Sequence, residues 1–167
     1  MAAVRKAFTE FQGVGRRCES HGDLRIGKAL VRVIDDYGHH PREIAATLSA
    51  MRGAYPGRRL VVAFQPHRYS RTRDLFDDFC AVLADADVLL LTEVYAAEAP
   101  LAEADGRALA RGIRARGRVE PVFVNSVAEA PAALSAIVRD GDVLLTLGAG
   151  DIGNLPNLLA QGGEGAA

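Results

Sequence analysis

Short apolar runs of strand length alternate along this chain with longer stretches of helical period. Ala29–Ile34 (ALVRVI), Leu60–Phe64 (LVVAF), Val88–Thr92 (VLLLT), Pro121–Val124 (PVFV) and Val143–Leu147 (VLLTL) read as strands. Between the first two, Ile44, Leu48 and Met51 share one face of a helix from Pro41 to about Met51. Pro41 suits a first turn, where a missing N–H costs nothing, and Tyr55-Pro56-Gly57 ends the helix. A second helix is predicted from Arg71 to about Leu83, with Leu75, Phe79 and Val82 inward and Ser70 or Thr72 as its cap. A third runs from Asp105 to about Arg116, with Leu109 and Ile113 inward and Gly117 as its stop. Ser126-x-x-Glu129 has the form of a capping box, but Pro131 pushes the regular part of that helix later, where Leu134, Ile137 and Val138 give it an apolar face. A short last helix is expected from about Asn154 to Ala160.

This is β-α repeated about five times. Strands apolar on both faces need helices over both sides of the sheet. The prediction is therefore an α/β fold, an open, doubly wound, mostly parallel Rossmann-like sheet of about five or six strands with helices on both faces. Residues 1–28 fall outside the alternation. Ala2–Phe11 has the look of a helix and Arg16–Ile26 of a loop or edge strand, so 1–28 reads as a connecting segment arriving from an upstream domain. Residues 29–161 form the domain, and the Gly/Ala-rich 162–167 a frayed tail.

Composition narrows the field without assigning chemistry. A length of 167 residues fits one domain. Twenty Lys and Arg against 21 Asp and Glu give a formal charge of −1, which argues against bulk attraction to nucleic acid or an anionic membrane. No apolar run approaches the ~20 residues that span a bilayer. With no signal peptide at the N-terminus, the cytoplasm is the expected compartment. Cys18 and Cys80 make neither a disulfide framework nor a zinc motif.

The polar chemistry gathers where an open α/β sheet binds ligands, at the carboxyl ends of strands. The first strand runs into Asp35-Asp36-Tyr37-Gly38-His39-His40-Pro41 and the second into Gln65-Pro66-His67-Arg68-Tyr69-Ser70-Arg71. The third runs into Glu93-Val94-Tyr95, and the last into Gly148-Ala149-Gly150-Asp151-Ile152-Gly153. Three of the four histidines lie in two of these loops. Arg68 and Arg71 stand at a helix start, where positive charge opposes the macrodipole, so they point to an anion, whose oxygens a guanidinium fork matches. Gly148-x-Gly150-x-x-Gly153 has dinucleotide-fingerprint spacing but follows the last strand, with no βαβ unit beyond it; a close backbone approach is the better reading. Two other classes stay open on these residues: a stand-alone module for a small carboxylate or nucleotide, and a metal-dependent hydrolase using His39, His40 and His67. The second lacks a further ligand at metal-binding spacing.

In order and spacing, Asp35–Pro41, Gln65–Thr72 and Thr146-x-Gly148-Ala149-Gly150 resemble the C-terminal domain of the Mur ligase family, in the branch that joins L-alanine to UDP-N-acetylmuramate. Phe11–Arg17 resembles the segment leading into that domain, so the likeness extends from about residue 2 to 160. The related ligases that recycle murein tripeptide typically carry Phe-Ala where this chain has Tyr37-Gly38. The resemblance implies an ATP-dependent amide ligase of peptidoglycan synthesis, working through an acyl phosphate, with Mg2+ held mainly by a central domain. The Gly-Lys-Thr or Gly-Lys-Ser phosphate loop of that central domain does not occur here, so this chain is expected to be the third domain alone and inactive by itself. It implies that Arg68 and Arg71 hold the carboxylate of L-alanine, that Tyr37, His39 and His67 line the pocket around its methyl and amine, and that Arg17 and Asp36 reach ATP at its phosphates and ribose. Expected partners are L-alanine, ATP and, through the other domains, UDP-N-acetylmuramate, with no nucleic acid, membrane or metal on this chain. Faces that meet the other domains in the family predict weak self-association. Departures from the family are Cys18 for Phe, Asp151 and Asn154 for the commoner Asn and Lys, and Pro156 within the last helix.

Overall fold

The apolar runs pair into one six-stranded sheet in the computed structural model, which describes residues 15–164. In chain order the elements are β1 (Glu19–Ile26), β2 (Ala29–Asp36), α1 (Pro41–Ala54), β3 (Leu60–Phe64), α2 (Tyr69–Asp74), α3 (Phe76–Leu83), β4 (Val88–Thr92), α4 (Gly106–Ala115), β5 (Val122–Val124), α5 (Ala130–Ile137), β6 (Val143–Leu147) and α6 (Leu155–Glu164). Single 3-10 turns span Val127–Glu129 and Asp151–Asn154. The strand order is β1-β2-β6-β3-β4-β5. β1 pairs antiparallel with β2, and all other pairings are parallel.

Alternation along the strands builds two cores. Ile34, Val62, Phe64, Leu89, Leu91, Leu145 and Leu147 face α1, α3 and α4, meeting Ile44, Leu48, Phe79, Leu83, Leu109 and Ile113. Val31, Val33, Val61, Ala63, Leu90 and Leu144 face the other way, onto Leu134 of α5 and Leu155 and Leu159 of α6. Every residue of β3 and β6 is buried, as both-sided cover requires. Each buried Leu, Ile or Phe contributes about 1.5–3 kcal/mol relative to exposure.

The topology decides where the site sits. The chain steps from β3 to β4 to β5, then returns through α5 on the opposite face to insert β6 between β2 and β3. The loops after β2 and β3 therefore lead to helices on one face, and the loop after β6, between them, leads to the other. The chain divides there, at the carboxyl ends, the usual ligand position in such sheets.

Several local expectations change. Residues 19–26 form an edge strand, one of the two alternatives for that stretch, and α6 packs against it. The helix expected at Ala2–Phe11 lies outside the described residues. The single helix expected over 71–83 starts at Tyr69 and breaks at Leu75 into α2 and α3. Tyr69 belongs to a small cluster with Val94 and Ala104, whereas Phe79 and Leu83 face the sheet, and one straight helix cannot serve both directions. Neither Ser70 nor Thr72 caps α2; its N-cap is Arg68, without a side-chain bond, and the Thr72 hydroxyl instead donates back to the Arg68 carbonyl at 3.0 Å. Ser126 makes no capping bond to a backbone N–H, and Glu129 accepts from Asn125 N–H instead. Pro131 falls in the first turn of α5, and Pro156 sits just inside α6, where a proline is tolerated. α6 continues to Glu164, past the expected end at Ala160; residues 165–167 lie outside the described residues.

Candidate functional site

β2 carries two acidic residues to its end, and both are buried there. Asp35 is 1% exposed and accepts the Thr146 hydroxyl of β6 and the Arg16 Nε. Asp36 is 3% exposed, and each of its oxygens takes two donors. Oδ1 accepts Gly38 N–H at 2.8 Å and the Thr47 hydroxyl at 3.3 Å; Oδ2 accepts Cys18 N–H at 2.9 Å and lies 3.6 Å from the Cys18 thiol. Asp36 thus ties the entering chain at Cys18, the loop after β2 and helix α1 to one point. Burial, with the Asp36 charge, pushes the Cys18 thiol up from its ordinary value.

The loop after β2 is held from below by Glu43. Its Oε2 accepts the backbone N–H of His39 at 3.1 Å and of His40 at 3.2 Å. Burial raises the Glu43 carboxyl, but these two donors and the His39 and Arg17 charges outweigh it and leave it below its ordinary value. His40 is the N-cap of α1, with Nδ1 accepting Arg42 N–H. That cap separates His40 from the other two loop histidines. Among the described residues no group of three or more His, Cys, Asp or Glu is placed to hold a metal ion.

Above this frame the loops after β2, β3 and β4 bring four rings into a row. Tyr37 meets His39 edge-on at 5.3 Å between centroids, His39 meets His67 at 5.8 Å, and His67 stacks on Tyr95 at 5.8 Å. Arg71 Nη1 lies 3.5 Å from His67 Nδ1. Burial, then the neighbouring His39, Arg71 and Arg68, holds the His67 imidazole below its usual 6.5, against an opposing pull from Glu98. Among the described residues neither Arg68 nor Arg71 has a carboxylate within 4 Å. Two guanidinium groups free of a salt bridge among the described residues, Arg68 with the Glu98 carboxyl within reach of its charge, stand beside an imidazole that resists protonation, groups whose chemistry suits a small anion.

Arg68 is also strained. Its φ of 69° with ψ of 129° lies in a region that side chains other than glycine's rarely enter, a cost of about 1–3 kcal/mol. The backbone is clamped on both sides: Arg68 N–H donates to Tyr95 O, and Arg68 O accepts Thr72 N–H and hydroxyl.

The predicted residues thus divide. Tyr37, His39, His67 and Arg71 are brought together, with Arg68 exposed beside them. Arg17 is exposed, with Nη1 3.9 Å from Glu43. Asp36, expected at the ATP ribose, is turned inward. Arg16, the residue before Arg17 and not among the predicted contacts, is the one drawn into the site. Its Nη2 donates to Gly148 O at 2.6 Å, and its guanidinium lies over the Tyr37 ring at 5.2 Å. No local motif marks Arg16 over Arg17; only the position of the β6 loop distinguishes them. Tyr95 and Gln65 were also missed as site residues. Gln65 Nε2 donates to Asp151 and its Oε1 accepts Ile152 N–H, fixing the glycine loop after β6. Gly148 adopts φ 143°, and the adjoining Gly150 has no room for a Cβ between Gln65 and the Tyr95 ring.

The fold and this rim define a doubly wound α/β domain with guanidinium, imidazole and phenol groups gathered at the carboxyl edge of its sheet. The family described as Mur ligase, glutamate ligase domain, matches residues 16–150, and the chain belongs to it. Among curated proteins it is 58% identical over 166 residues to the UDP-N-acetylmuramate--L-alanine ligase of Paraburkholderia phytofirmans, covering 96% of this chain and 36% of that protein. It is 60% identical over 162 residues to the enzyme of the same name from Burkholderia mallei, covering 96% of this chain and 35% of the relative. Among solved structures it superposes on the UDP-N-acetylmuramate-alanine ligase of Thermotoga maritima with a TM-score of 0.75 and 29% identity, covering 99% of this chain and 34% of that one. The chain therefore spans about a third of the length of these relatives.

Proposed function

We propose that this chain is the amino-acid-binding domain of an ATP-dependent ligase that joins L-alanine to UDP-N-acetylmuramate in peptidoglycan synthesis; the expected boundary at residue 29 moves back to take in β1, the edge strand of the sheet, and the residues before it are the approach from the parent's other domains. The observation that carries the reading is the pair of guanidinium groups not committed to a salt bridge among the described residues, Arg68 and Arg71, next to the Tyr37–His39–His67 row. The names of its relatives, one 58% identical, support the substrate.

In this reading Arg68 and Arg71 hold the carboxylate of L-alanine, and Tyr37, His39 and His67 close around the methyl and amine. An unprotonated imidazole at His67 suits an amine that must stay neutral to attack. The parent's other domains hold UDP-N-acetylmuramate, the phosphate groups and Mg2+; the amine attacks the muramoyl acyl phosphate, and phosphate leaves the tetrahedral intermediate. On the ATP side, the exposed Arg17 fits a phosphate contact. Asp36 does not fit a direct ribose contact as placed, because both oxygens are committed, so its part is to hold the loops around the nucleotide. The cytoplasm, where such precursors are made, is the proposed compartment; among the described residues no helix is long and apolar enough to cross a membrane.

Alanine has so few atoms that half a site binds it weakly. At most about −1.5 kcal/mol per atom is available to the best small ligands, so millimolar or weaker affinity is expected of this chain alone. Domain closure excludes water and strengthens the Arg–carboxylate pairs. The test is Arg71→Ala and Arg68→Ala in the full-length ligase carrying this domain. The expected result is a rise in the KM for L-alanine of about tenfold or more, with the KM for ATP nearly constant. An unchanged alanine KM in both variants overturns the assignment. The isolated 167-residue chain is expected to form no ADP from ATP, UDP-N-acetylmuramate and L-alanine.

A further inference from the structure

Tyr95 ends one of the strand-end runs but belongs to none of the motifs that carry the family resemblance, yet the site is built against it. With Tyr37 and Leu30 it is one of three large apolar side chains exposed among the described residues, at 43%. Three independent features fix it. Its backbone brackets the loop after β3, Tyr95 N–H donating to Pro66 O at 2.8 Å and Tyr95 O accepting Arg68 N–H at 3.3 Å, so that residues 67 and 95 form a parallel bridge beyond the ends of their strands. Its ring stacks on His67 with an interplanar angle of 13°. The base of the ring abuts Gly150, where an added Cβ would fall 2.6 Å from Tyr95 Cγ.

A ring exposed to water is costly to immobilise unless it is used. Here it is pinned between the β6 glycine loop and the imidazole that touches Arg71. We infer that Tyr95 is a positioning residue of the amino-acid site: it sets the plane of the His67 ring and, through His67, the position of Arg71. The inference rests on the proposed function for what the site receives, but the packing argument stands without it. Tyr95 also clamps the strained Arg68 through its carbonyl, so one residue of β4's exit supports both arginines by different means. Arg71 is reached through the ring and Arg68 through the backbone. Only the first contact is removed by a side-chain substitution.

Two measurements separate the inference from the reading beneath it. In the 167-residue chain, NMR titration of His67 reports its surroundings, which consist of His39 from the loop after β2, Arg68 and Arg71 from the start of α2, and Glu98 beyond β4. Tyr95→Phe keeps the stacked ring and the wild-type titration. Tyr95→Ala admits water to the imidazole and moves the titration up toward 6.5, since burial is the foremost cause of its depression. An unmoved titration in a folded Tyr95→Ala overturns the inference. Should that variant fail to fold, Tyr95→Leu, which keeps an apolar side chain but no ring to stack, decides in the same way.

In the full-length ligase, Tyr95→Ala raises the KM for L-alanine about three- to tenfold, the range expected for losing one aromatic contact, with the KM for ATP unmoved. Arg71→Ala is the reference. If Arg71→Ala raises the alanine KM and Tyr95→Ala does not, the positioning role is refuted while the function stands. If Arg71→Ala leaves it unmoved, the amino-acid reading fails, and the titration alone judges whether Tyr95 orients His67.

Discussion

Removing the Asp36 carboxylate is expected to weaken the fold, not only the site. Asp36→Ala leaves four donors without their acceptor: Gly38 N–H, Cys18 N–H, the Thr47 hydroxyl and, weakly held at 3.6 Å, the Cys18 thiol. Gly38 is buried, so its N–H bears the full desolvation cost of about 1–3 kcal/mol. Cys18 is exposed and regains water, losing only the net value of a charged hydrogen bond, about 1.5–3 kcal/mol. The Thr47 hydroxyl can rotate to another acceptor. Relief of the buried charge offsets part of this loss. The balance is a destabilisation of about 3 kcal/mol, or a fall in Tm of roughly 6–12 °C for a chain of this size. Asp36→Asn keeps one acceptor oxygen but turns an NH2 toward N–H donors, and is expected to lose about 2 kcal/mol. Urea unfolding of the 167-residue chain followed by far-UV circular dichroism measures both. Asp74→Ala, at a side chain 60% exposed, is the surface control and is expected within about 0.5 kcal/mol of wild type. If Asp36→Ala is as stable as that control, the carboxylate faces solvent and is available to a ligand, and the account of Asp36 as an internal tie is wrong.

Two further outcomes follow from the same loops. Because Arg68 holds φ at 69°, Arg68→Gly should be more stable than Arg68→Ala by about 1 kcal/mol while both lose alanine affinity, as thermal unfolding and the alanine KM of the full-length ligase would show. The Glu43 carboxyl is depressed in the folded chain, so its stabilisation is complete above its ordinary value of 4.5 and is lost as pH falls through the lower folded value; His67 is likewise depressed, so its stabilisation is complete above 6.5 and is lost as pH falls through its own folded value. Glu43→Gln should therefore flatten the acid limb of a stability–pH curve and leave the part near pH 6 in place; an unchanged acid limb would remove Glu43 from the account.

The elements most legible in the sequence were those whose pattern is set by burial on both faces. Leu60–Phe64, Val88–Thr92 and Val143–Leu147 were placed to the residue, because a strand covered on two sides must be continuously apolar and no other short element needs that. Asp105 was placed as the start of its helix, and its side chain indeed accepts Ala108 N–H, because a cap is a local bond between near neighbours. The break at Leu75 was not legible. It arises because Tyr69 and Phe79 seek different clusters, and those clusters are assembled from residues distant in the chain.

The site shows the same division. The run of His, Arg and Tyr at strand ends was visible because strand ends are predictable and the chemistry there is dense for a solvated loop. Which of two adjacent residues points inward was not visible. Arg16 rather than Arg17 enters the site because Gly148 O and Asp35 wait on neighbouring strands, and Asp36 faces inward because Cys18 and Gly38 both present N–H groups to it. Tyr95 matters only because the chain returns from β5 to place the β6 glycine loop beside β3, bringing Gly150 against the base of the ring while His67 stacks on it. Residue order is enough to say which segments are strands and helices and which residue types gather at the sheet's carboxyl edge, since both depend on burial period and chain-local bonding. Strand order alone decided which of those residues meet, because contacts between loops far apart in the chain are set by where each strand is inserted.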